Sequence, residues 1–519
     1  MEHQNRSNSV TQSSSDDECL SATTDHREEY QEPESSFSAS LKPPDKLTWQ
    51  VIMATVFSTL GCMNFGYALG WSAQSIDNIK DDPDMPNFSD TQNSWISSIL
   101  TIGAILGTFI GADLSDRLGR QQTLIATAIV AVGGWIVVCL ANSFVLVAVG
   151  RFVVGMSIGM VNTSSPPYIA EITPPNYRGV TGGQFQNGVN GGIFICLLIA
   201  PYLPWRTLSV LGLIFPSLMG VGLMFMRESP VWLLSKGHID KYDKSSRFFA
   251  GSTHVFYTNI APSFSESQSQ QGPTESVSVR WRKLLRNPQT YKPLLLCMFM
   301  ALAFQLSAVT VITFYNVTIF SNAGLSSSKA NMSSQILGAF QLIIGVAGSV
   351  LSTTWRRKPH FLTSSYLTSS GLCLIAISFL VKEKWYDSSI MDWVVIGSFV
   401  FTISIFAFGA GTITWAYVGE LLPAEGTGLV VGAASFANWF VSFFLAFYYD
   451  QMQKAMEDYG VFFFYAAAHF LCTCCLVWLP ETKGMSLAEI QSSFKSRRRR
   501  HRNKRNPHSQ QFFAHDVED

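Results

Sequence analysis

The chain has 519 residues, of which 47% are hydrophobic and only 14% are charged, and its 36 basic side chains balance 36 acidic ones. Soluble chains usually carry about 25% charged residues, so the composition disfavours a soluble protein and favours one that lies largely in lipid. The zero net charge gives no sign of a nucleic-acid partner, and we expect none. The nine cysteines lie mostly in apolar segments, which indicates buried thiols and neither disulfides nor metal ligands.

The chain begins with a polar, Ser-rich stretch, residues 1–47, that lacks the apolar core of a cleavable signal peptide. We expect a disordered cytoplasmic tail, with the first apolar helix acting as the insertion signal. Twelve apolar segments follow, each close to the roughly 20 residues that a bilayer-spanning helix needs. The predicted spans are 48–72, 95–113, 122–141, 145–168, 182–201, 206–226, 291–320, 333–353, 361–381, 393–418, 428–449 and 458–479.

A polar segment divides the predicted spans into two sets of six. It contains charged helical pieces and the stretch SFSESQSQQGPTESVS, whose composition is typical of disorder. The sequence therefore predicts six spans within 48–228, a cytoplasmic linker with short helices at 229–290, six spans within 291–479 and a basic tail at 480–519.

Lysines and arginines are concentrated in one set of loops, which places those loops and both termini in the cytoplasm. The loop after the first span is then outside, where Asn87 begins a glycosylation sequon. The basic tail after the last span favours contact with anionic lipid. The concentrated basic residues are Arg117, Arg120, Arg178, Arg280, Arg282, Lys283, Arg286, Arg356, Arg357, Lys358 and the tail segment SRRRRHRNKR.

The stretch GADLSDRLGRQ, residues 111–121, places four charges on the short connection between the second and third spans. A cytoplasmic loop accounts for its arginines but does not explain the two acids beside them. In the preceding span, Gly103, Gly107 and Gly111 recur at every fourth residue. This spacing predicts a ridge of small residues for close helix packing.

Four further motifs occur in a definite order. The fourth span begins GRFVVGMSIG and leads into PPYIAEITPPNYRG, the sixth ends in MRESPVWLL, and the twelfth ends in LPETKG. Together with DRLGR, this set resembles the sugar porter family of the major facilitator superfamily over roughly residues 48–490. FGYALGWSA in span one and NSWISSILTIGAILG in span two are similar to the type 8 glucose transporters of animals and the facilitated trehalose transporters of insects.

The resemblance implies an all-α polytopic membrane protein with twelve transmembrane helices in two six-helix bundles, which rock about a central site to give alternating access. It implies a monomeric transporter without a cofactor or metal. An enzyme is disfavoured by the residues themselves, because we find no nucleophile–base pair, metal-ligand spacing or phosphate-binding loop in the sequence.

The resemblance also implies that charges at the cytoplasmic ends of the bundles form a gate, which holds one state and must still release. Arg151, near the start of span four, is expected on the cytoplasmic side with the others. The alternative for each residue alone is a solvated surface charge that contributes little. The gate candidates are Asp116, Arg117, Arg120, Arg151, Glu171, Arg178, Glu228, Glu420 and Glu481.

The second half of the chain departs from the family's gate motifs. The segment STTWRRKPHF after span eight keeps its basic residues but lacks the expected acid and glycine, and Thr427 stands where an arginine is expected after Glu420. These departures predict a weaker gate on the C-terminal side and an equilibrium shifted toward the inward-open state.

A sugar presents hydroxyl groups and an apolar face, so its site needs amides and an aromatic ring at membrane depth. The alternative for each such residue is a buried amide bonded to a neighbouring helix, or a packing tryptophan. Thr310 and Gln341 stand where asparagines are usual in the family. By resemblance, the sugar-contacting positions are Gln186, Gln305, Trp415 and Asn438, and the full candidate set adds Thr310 and Gln341.

Other departures affect the same spans. The family's span-seven signature is close to QQLSGIN, whereas here Phe304 replaces the first glutamine and Ala308 replaces the glycine. The span-ten segment GAGTITW lacks the family's prolines, so Gly409 and Gly411 must supply any flexibility there. These changes leave open whether the substrate is glucose.

Coupling to protons is disfavoured. Proton-driven members of the family carry an aspartate in span one, but here Gly66-Tyr67 is followed by Ala68, and the acids of the predicted spans lie near their ends. A proton relay needs an ionisable group at depth. His469 in span twelve is expected to be a bonded interhelical residue.

The leading hypothesis is facilitative transport of a hexose or of trehalose, in the plasma membrane or an endomembrane. The alternatives are a porter of another small polar or amphiphilic solute, which Phe304 and Thr310 favour, and a sugar sensor that does not transport.

Overall fold

The structure, a computed structural model, describes residues 47–80, 82–86, 88–174, 177, 181–250, 288–385, 388–421, 427–483, 485, 490 and 493–494. All of these residues belong to one compact unit, residues 43–519. The polar tails, the Ser-rich part of the linker, Asn87 and Arg178 lie outside the described residues. Below, the first half means the described residues up to 250, and the second half means those from 288 onward.

The described residues fold almost entirely into α-helices. In chain order these are α1 (Trp49–Lys80), α2 (Asp90–Arg117), α3 (Arg120–Cys139), α4 (Phe144–Ile172), α5 (Gln184–Ile199), α6 (Trp205–Leu211), α7 (Ile214–Met224), α8 (Pro230–Ser235), α9 (Ile239–Ala250), α10 (Pro288–Leu306), α11 (Val309–Asn322), α12 (Ser327–Leu351), α13 (Arg357–Lys384), α14 (Ser389–Phe408), α15 (Ala410–Leu421), α16 (Thr427–Phe447) and α17 (Tyr449–Cys475).

Ten helical segments within the described ranges are long and apolar enough to cross a membrane. They coincide with ten of the twelve predicted spans. The two remaining predictions fall on α5, which has 16 residues, and on α16, whose 21 residues include the shorter apolar helix Gly432–Phe447. Three predicted spans, the sixth, seventh and tenth, each consist of two consecutive helices: α6 and α7, α10 and α11, and α14 and α15.

The helices run in alternating directions, so the bundle has two ends. We call the end that carries α8 and α9 the linker end, and the other the far end. Serine side chains cap three helices that begin at the far end. Ser89 caps α2 in a reciprocal capping box with Gln92, and Ser143 and Ser388 cap α4 and α14. These caps satisfy N–H groups that have no partner within the helix.

Helices α2 and α4 pack with their backbones in direct contact, as the glycine spacing predicts. A Cβ atom added to Gly107 would lie only 1.9 Å from the carbonyl oxygen of Met156. A Cβ atom would also come too close at Gly103, 2.1 Å from the carbonyl oxygen of Phe152, and at Gly111, 2.6 Å from the Cα of Met160, so these partners on α4 are also spaced by four residues. Because lipid tails are as apolar as leucine, this close packing is a main source of helix association in a membrane.

The two halves repeat one packing scheme. In the first half α1 packs on α5, α2 and α3 pack on α4, and α3 packs on α7; in the second half α10 packs on α16, α12 and α13 pack on α14, and α13 packs on α17. The halves meet where α2 contacts α16, α5 contacts α12, and α1 contacts α11. The helix breaks next to these contacts bring the polar residues of the spans to the region between the halves.

Replacing Gly107 with alanine should destabilise the protein by about 1–3 kcal/mol, because the new methyl group forces α2 and α4 apart. Gly133 is the matched control, since it lies in α3 and a Cβ there meets no atom within 4 Å. Gly133→Ala should leave the melting temperature unchanged or raise it, because alanine favours a helix over glycine. Thermal unfolding of the purified protein in detergent measures both, and equal melting temperatures for the two variants would contradict the packing argument.

Candidate functional site

A small cavity, partly open to its surroundings, lies between the two halves. All six side chains that the sequence nominates for substrate binding line it, from five different spans. The lining residues are Phe65, Leu69, Gln186, Val189, Ile193, Phe304, Gln305, Val309, Thr310, Thr313, Gln341, Trp415, Asn438 and Trp439. The first half contributes Gln186, and the second half contributes the other five candidates.

The break between α10 and α11 places two of the candidates. Ala308 has a left-handed backbone with φ of 60° and is fully buried. Gln305 and Thr310 are five residues apart, which in a continuous helix would point them about 140° away from each other. The break instead lets Thr310 Oγ1 donate to Gln305 Oε1 at 2.7 Å. The family's glycine would adopt this conformation without strain, whereas alanine adopts it at a cost of about 1–2 kcal/mol.

A second break, between α14 and α15, positions Trp415. It occurs at Gly409, where a Cβ atom would lie 2.5 Å from the Cβ of Ser364. The Ser364 hydroxyl donates to the carbonyl oxygen of Ile405 at 2.6 Å and accepts from the amide of Ala410 at 2.9 Å. The span is thus interrupted without prolines, because a neighbouring serine satisfies the backbone groups that the break releases.

The cavity amides are bonded to one another in two groups. In the second half, Gln305 Nε2 donates to Asn438 Oδ1 at 3.0 Å, which continues the chain from Thr310. Between the halves, Asn190 Oδ1 accepts from Gln186 Nε2 at 3.1 Å and from Gln341 Nε2 at 3.2 Å. These bonds meet the requirement that buried polar groups find partners.

Aromatic rings form the rest of the wall. Phe304 packs edge-on against Phe406 and Trp415, with ring centroids 5.0 and 5.9 Å away. Phe65 lies 5.4 Å from Trp439. The Trp439 indole N–H is buried and has no hydrogen-bond partner among the described residues, so it is a donor available to a bound molecule.

Asn190, which bonds two of the candidates, was missed in the sequence. It occurs within the segment GGQFQNGVNGG, where an asparagine is equally typical of packing. For Asn190 the available signal was its spacing of four from Gln186, which places both on one face of α5.

Hydrogen bonds join the two halves at both ends of the cavity. At the far end, Gln74 bonds Asn331 at 2.7 Å and Ser94 donates to Asp450 at 2.8 Å. Toward the linker end, Asn187 Nδ2 donates to Ser349 Oγ at 3.1 Å. A further contact there joins Asn162 to Ser435, at 3.2 Å. The two halves are therefore in contact on both sides of the cavity. The two pairs at the linker side are neutral, whereas one of the two pairs at the far side includes the carboxylate of Asp450.

Charged gate candidates of the first half form one cluster at the linker end. Arg120 bonds Glu171 at 3.3 Å and Asp116 at 3.1 Å, and the side chains of Arg120 and Glu171 are each 17% exposed. The Glu228 carboxylate accepts the backbone N–H groups of Arg120 at 2.9 Å and Gln121 at 3.1 Å, so it caps α3. Burial raises the pKa of the Glu228 carboxyl, while these N–H donors and that of Ser229 oppose the shift.

Glu481 repeats the role of Glu228 in the second half. It accepts the backbone N–H groups of Arg357 at 3.0 Å and Lys358 at 3.3 Å, and so caps α13. Its ion pair with Arg356 is long, at 3.9 Å, and the arginine side chain is 78% exposed. An exposed pair of this kind contributes little to stability. The weaker gate that the altered motif STTWRRKPHF predicts stays a prediction.

The remaining gate candidates take no part in this cluster as described. Arg117 pairs with Asp113 at 2.9 Å on an exposed helix surface. Arg178 and the Glu420 side chain lie outside the described residues. In the described residues, each charged cluster joins elements of its own half.

The expectation that Arg151 lies with these charges is wrong. Arg151 is fully buried at the far end, where it donates to Ala68 O at 2.8 Å and bonds the hydroxyl of Ser72. Its guanidinium lies 4.9 Å from the ring centroid of Trp71. Helix α4 begins at the far end, so a residue about two turns into it cannot reach the linker end.

His469 is a bonded interhelical residue, as expected. Its Nδ1 lies 2.9 Å from Ser369 Oγ, which joins α17 to α13 away from the cavity.

The chain is similar over most of its length to several known transporters. The family model described as "Sugar (and other) transporter" matches residues 18–494. The chain is 30% identical over 451 residues to Sugar transporter ERD6-like 6 of Arabidopsis thaliana, covering 86% of this chain and 90% of that protein. It is 29% identical over 468 residues to the facilitated glucose transporter member 8 of solute carrier family 2 from Bos taurus, covering 86% and 95%. It is 28% identical over 465 residues to the facilitated trehalose transporter Tret1 of Apis mellifera ligustica, covering 88% and 90%.

Solved structures share the fold. The MFS (major facilitator superfamily) proton:xylose symporter XylE bound to 6-bromo-6-deoxy-D-glucose matches with a TM-score of 0.73 and 20% identity, covering 86% of this chain and 99% of that one. The inward-open XylE of E. coli matches with a TM-score of 0.66 at 20% identity, over 86% and 100% of the two chains.

Ala308→Gly should raise the melting temperature, because it removes the left-handed strain of alanine, in part offset by the greater freedom of glycine in the unfolded chain. Ala303→Gly is the matched control: Ala303 is also buried, in the regular part of α10. There glycine should destabilise by about 1 kcal/mol. Thermal unfolding in detergent checks the opposite signs, and a loss at position 308 as large as that at 303 would refute the strain.

Proposed function

The chain belongs to the sugar (and other) transporter family, and from this we propose that it carries a hexose or trehalose-class sugar across a membrane by facilitative alternating access. The observation that carries this proposal is the convergence of six polar or aromatic side chains, from both halves, on one cavity. Amides that accept and donate hydrogen bonds, set beside aromatic rings, match the hydroxyls and the apolar face of a sugar.

The proposed architecture is twelve transmembrane helices in two six-helix bundles. The ten long apolar segments supply ten of the spans. Helix α5 rises about 24 Å over its 16 residues, and a further helical turn, Ala200–Tyr202, follows it directly. The repeated packing of the two halves supports the division into bundles.

Orientation and surroundings are proposed from the charge distribution. The linker end carries the basic residues Arg120 and Arg356 to Lys358, and we therefore propose that it and both termini are cytoplasmic. We take the protein to be a monomer in the plasma membrane or an endomembrane, with the basic tail against anionic lipid and Asn87 as a glycosylation site on the outer face.

The charge cluster at the linker end is part of the proposed cytoplasmic gate. Arg120 and Glu171 are largely shielded from water, so their interaction is screened less than that of a surface pair. Glu228 and Glu481 cap the N-termini of α3 and α13, so each charge cluster is attached to the first turn of a helix. Opening toward the cytoplasm requires the Asn187–Ser349 and Asn162–Ser435 contacts to separate.

The absence of proton coupling is proposed from the surroundings of Arg151. This buried cation has only neutral partners among the described residues: two backbone carbonyls, the hydroxyl of Ser72 and the ring of Trp71. Ala68 stands where proton-driven relatives have an aspartate, so no carboxylate is present there to bind and release a proton.

A second candidate is a porter of an amphiphilic solute with fewer hydroxyls. The contacts of Phe304 with Phe406 and Trp415 favour it, since a phenylalanine at this position replaces a hydrogen-bonding amide with an apolar ring. A sensor that binds a sugar without transporting it ranks third.

Oocytes that express the protein should take up one member of a panel of radiolabelled hexoses, disaccharides and polyols with saturable kinetics. Gln341→Leu should raise KM by about tenfold, the equivalent of one lost hydrogen bond. Gln335→Leu, on the same helix but outside the cavity, is the matched control and should leave KM unchanged. Binding without flux would favour the sensor, and no binding of any sugar would reject the proposal.

Uptake by the wild type should be independent of external pH and of membrane potential. The chain has Ala68, and therefore no titrating carboxylate, at the position whose backbone carbonyl accepts from Arg151, and the other described partners of Arg151 are neutral as well. Initial rates between pH 5.5 and 7.5, with and without a protonophore, measure this independence. A wild type that loses uptake with the protonophore would show coupling and contradict the facilitative assignment.

A further inference from the structure

We propose that Asn190, which does not line the cavity, is a positioning residue that fixes the side-chain amides of Gln186 and Gln341 as hydrogen-bond acceptors for the substrate. This inference rests on the proposed function and states which chemical groups the sugar must present to this wall.

The geometry of the Asn190 side chain supports a fixed orientation. Its Oδ1 accepts from Gln186 Nε2 at 3.1 Å and from Gln341 Nε2 at 3.2 Å. Its Nδ2 faces the backbone carbonyl oxygen of Gln341 at 3.5 Å. If Asn190 were reversed, its NH2 group would face two NH2 groups and its oxygen would face a carbonyl oxygen, so every contact would become repulsive.

The site is built around this side chain. Asn190 is 1% exposed. Its Nδ2 lies where α12 has Gly345, and a Cβ atom on that residue would come within 2.8 Å of it. A side chain at position 345 would therefore displace the asparagine amide.

The consequence for the cavity is a defined polarity. Since both Nε2 atoms are directed at Asn190, the Oε1 atoms of Gln186 and Gln341 remain to face the cavity, and neither has a hydrogen-bond partner among the described residues. The opposite wall has the reverse character. Asn438 Oδ1 is occupied by Gln305, which leaves Asn438 Nδ2 and the unpartnered Trp439 N–H as donors.

The substrate must therefore donate hydrogen bonds to one wall and accept them from the other. Hydroxyl groups meet the first requirement, whereas ether oxygens, fluorine or carbonyl groups do not. Gln186 belongs to the first half and Gln341 to the second, so Asn190 assembles the acceptor pair only while α5 and α12 are in contact. A sugar that donates hydrogen bonds to the side-chain oxygens of Gln186 and Gln341 at the same time therefore favours the conformation in which α5 and α12 are in contact.

The test uses the mono-deoxy and mono-deoxyfluoro derivatives of D-glucose or trehalose, whichever the wild type takes up, as competitors of its uptake. At the hydroxyls that face Gln186 and Gln341, both derivatives should bind about tenfold more weakly than the parent sugar, because neither can donate. The ratio of the inhibition constant of the deoxy derivative to that of the deoxyfluoro derivative should therefore be near one. In Asn190→Leu the amides are free to turn their NH2 groups inward, so fluorine should bind better than hydrogen, with a ratio of about three or more.

Asn187→Leu is the matched control. Asn187 lies on the same helix and also bonds α12, through Ser349, but makes no bond to the cavity amides. Both variants lose a contact between α5 and α12, so both should change the transport rate. Only Asn187→Leu should leave the ratio near one, because its cavity amides keep Asn190 as their partner.

Several outcomes overturn the inference. A wild type in which the fluoro derivative equals the parent sugar at every position would show that the amides donate, and this result needs no variant to fold. Normal uptake by Asn190→Leu, with an unchanged ratio of inhibition constants, would show that Asn190 does not orient the two glutamines. If Asn190→Leu does not reach the membrane, Gly345→Ala replaces it and should raise the ratio in the same way. Absence of saturable uptake of either sugar by the wild type would instead reject the proposed function, and this inference with it.

Discussion

The structure depends on one constraint: polar groups at membrane depth must find partners within the protein, because lipid offers none. Around the cavity the partners are other amides. Gln305 bonds Asn438 within the second half, and Asn190 joins Gln186 to Gln341 across the two halves. An amide network of this kind is stable in the absence of substrate, yet it leaves individual oxygens and N–H groups directed at the cavity. The sugar proposed to bind there could then exchange with water without leaving buried groups unpaired.

The same constraint explains how the broken helices are tolerated. At one break a neighbouring hydroxyl satisfies the backbone groups that are released, and at the other an alanine adopts a left-handed conformation in spite of its strain. Ser364 bonds both sides of the break at Gly409, and Ala308 takes a left-handed conformation between α10 and α11. The two breaks lie directly beside Gln305, Thr310 and Trp415, so the irregular backbone occurs where it lines the cavity and not where it would face lipid.

Among the described residues, charged side chains lie at the ends of the bundle and, with one exception, keep some contact with solvent. At the linker end, Glu228 and Glu481 cap equivalent helices in the two halves, and the first of them is joined to a shielded cluster around Arg120. Within the described residues, contacts between the halves near the cavity are made by neutral pairs such as Asn187 and Ser349. The exception is Arg151, whose partners at the far end are two backbone carbonyls, the Ser72 hydroxyl and the Trp71 ring.

Hydropathy located the ten segments that form helices long and apolar enough to cross a membrane. The glycine spacing in span two predicted the packing of α2 on α4, because it is a local property of one helix face. The sequence also named the six candidates that line the cavity: four by resemblance to the family's sugar-contacting positions, and Thr310 and Gln341 where the family usually has asparagines. It could not determine that Asn190 orients two of them, or that Glu228 and Glu481 are helix caps, because those roles depend on distances between residues far apart in the chain. The position of Arg151 followed from the direction of α4, and the partners of each amide followed from how α5 and α12 approach. Only tertiary packing fixes such contacts, because a side chain of given type is equally compatible with several neighbours until the helices are placed.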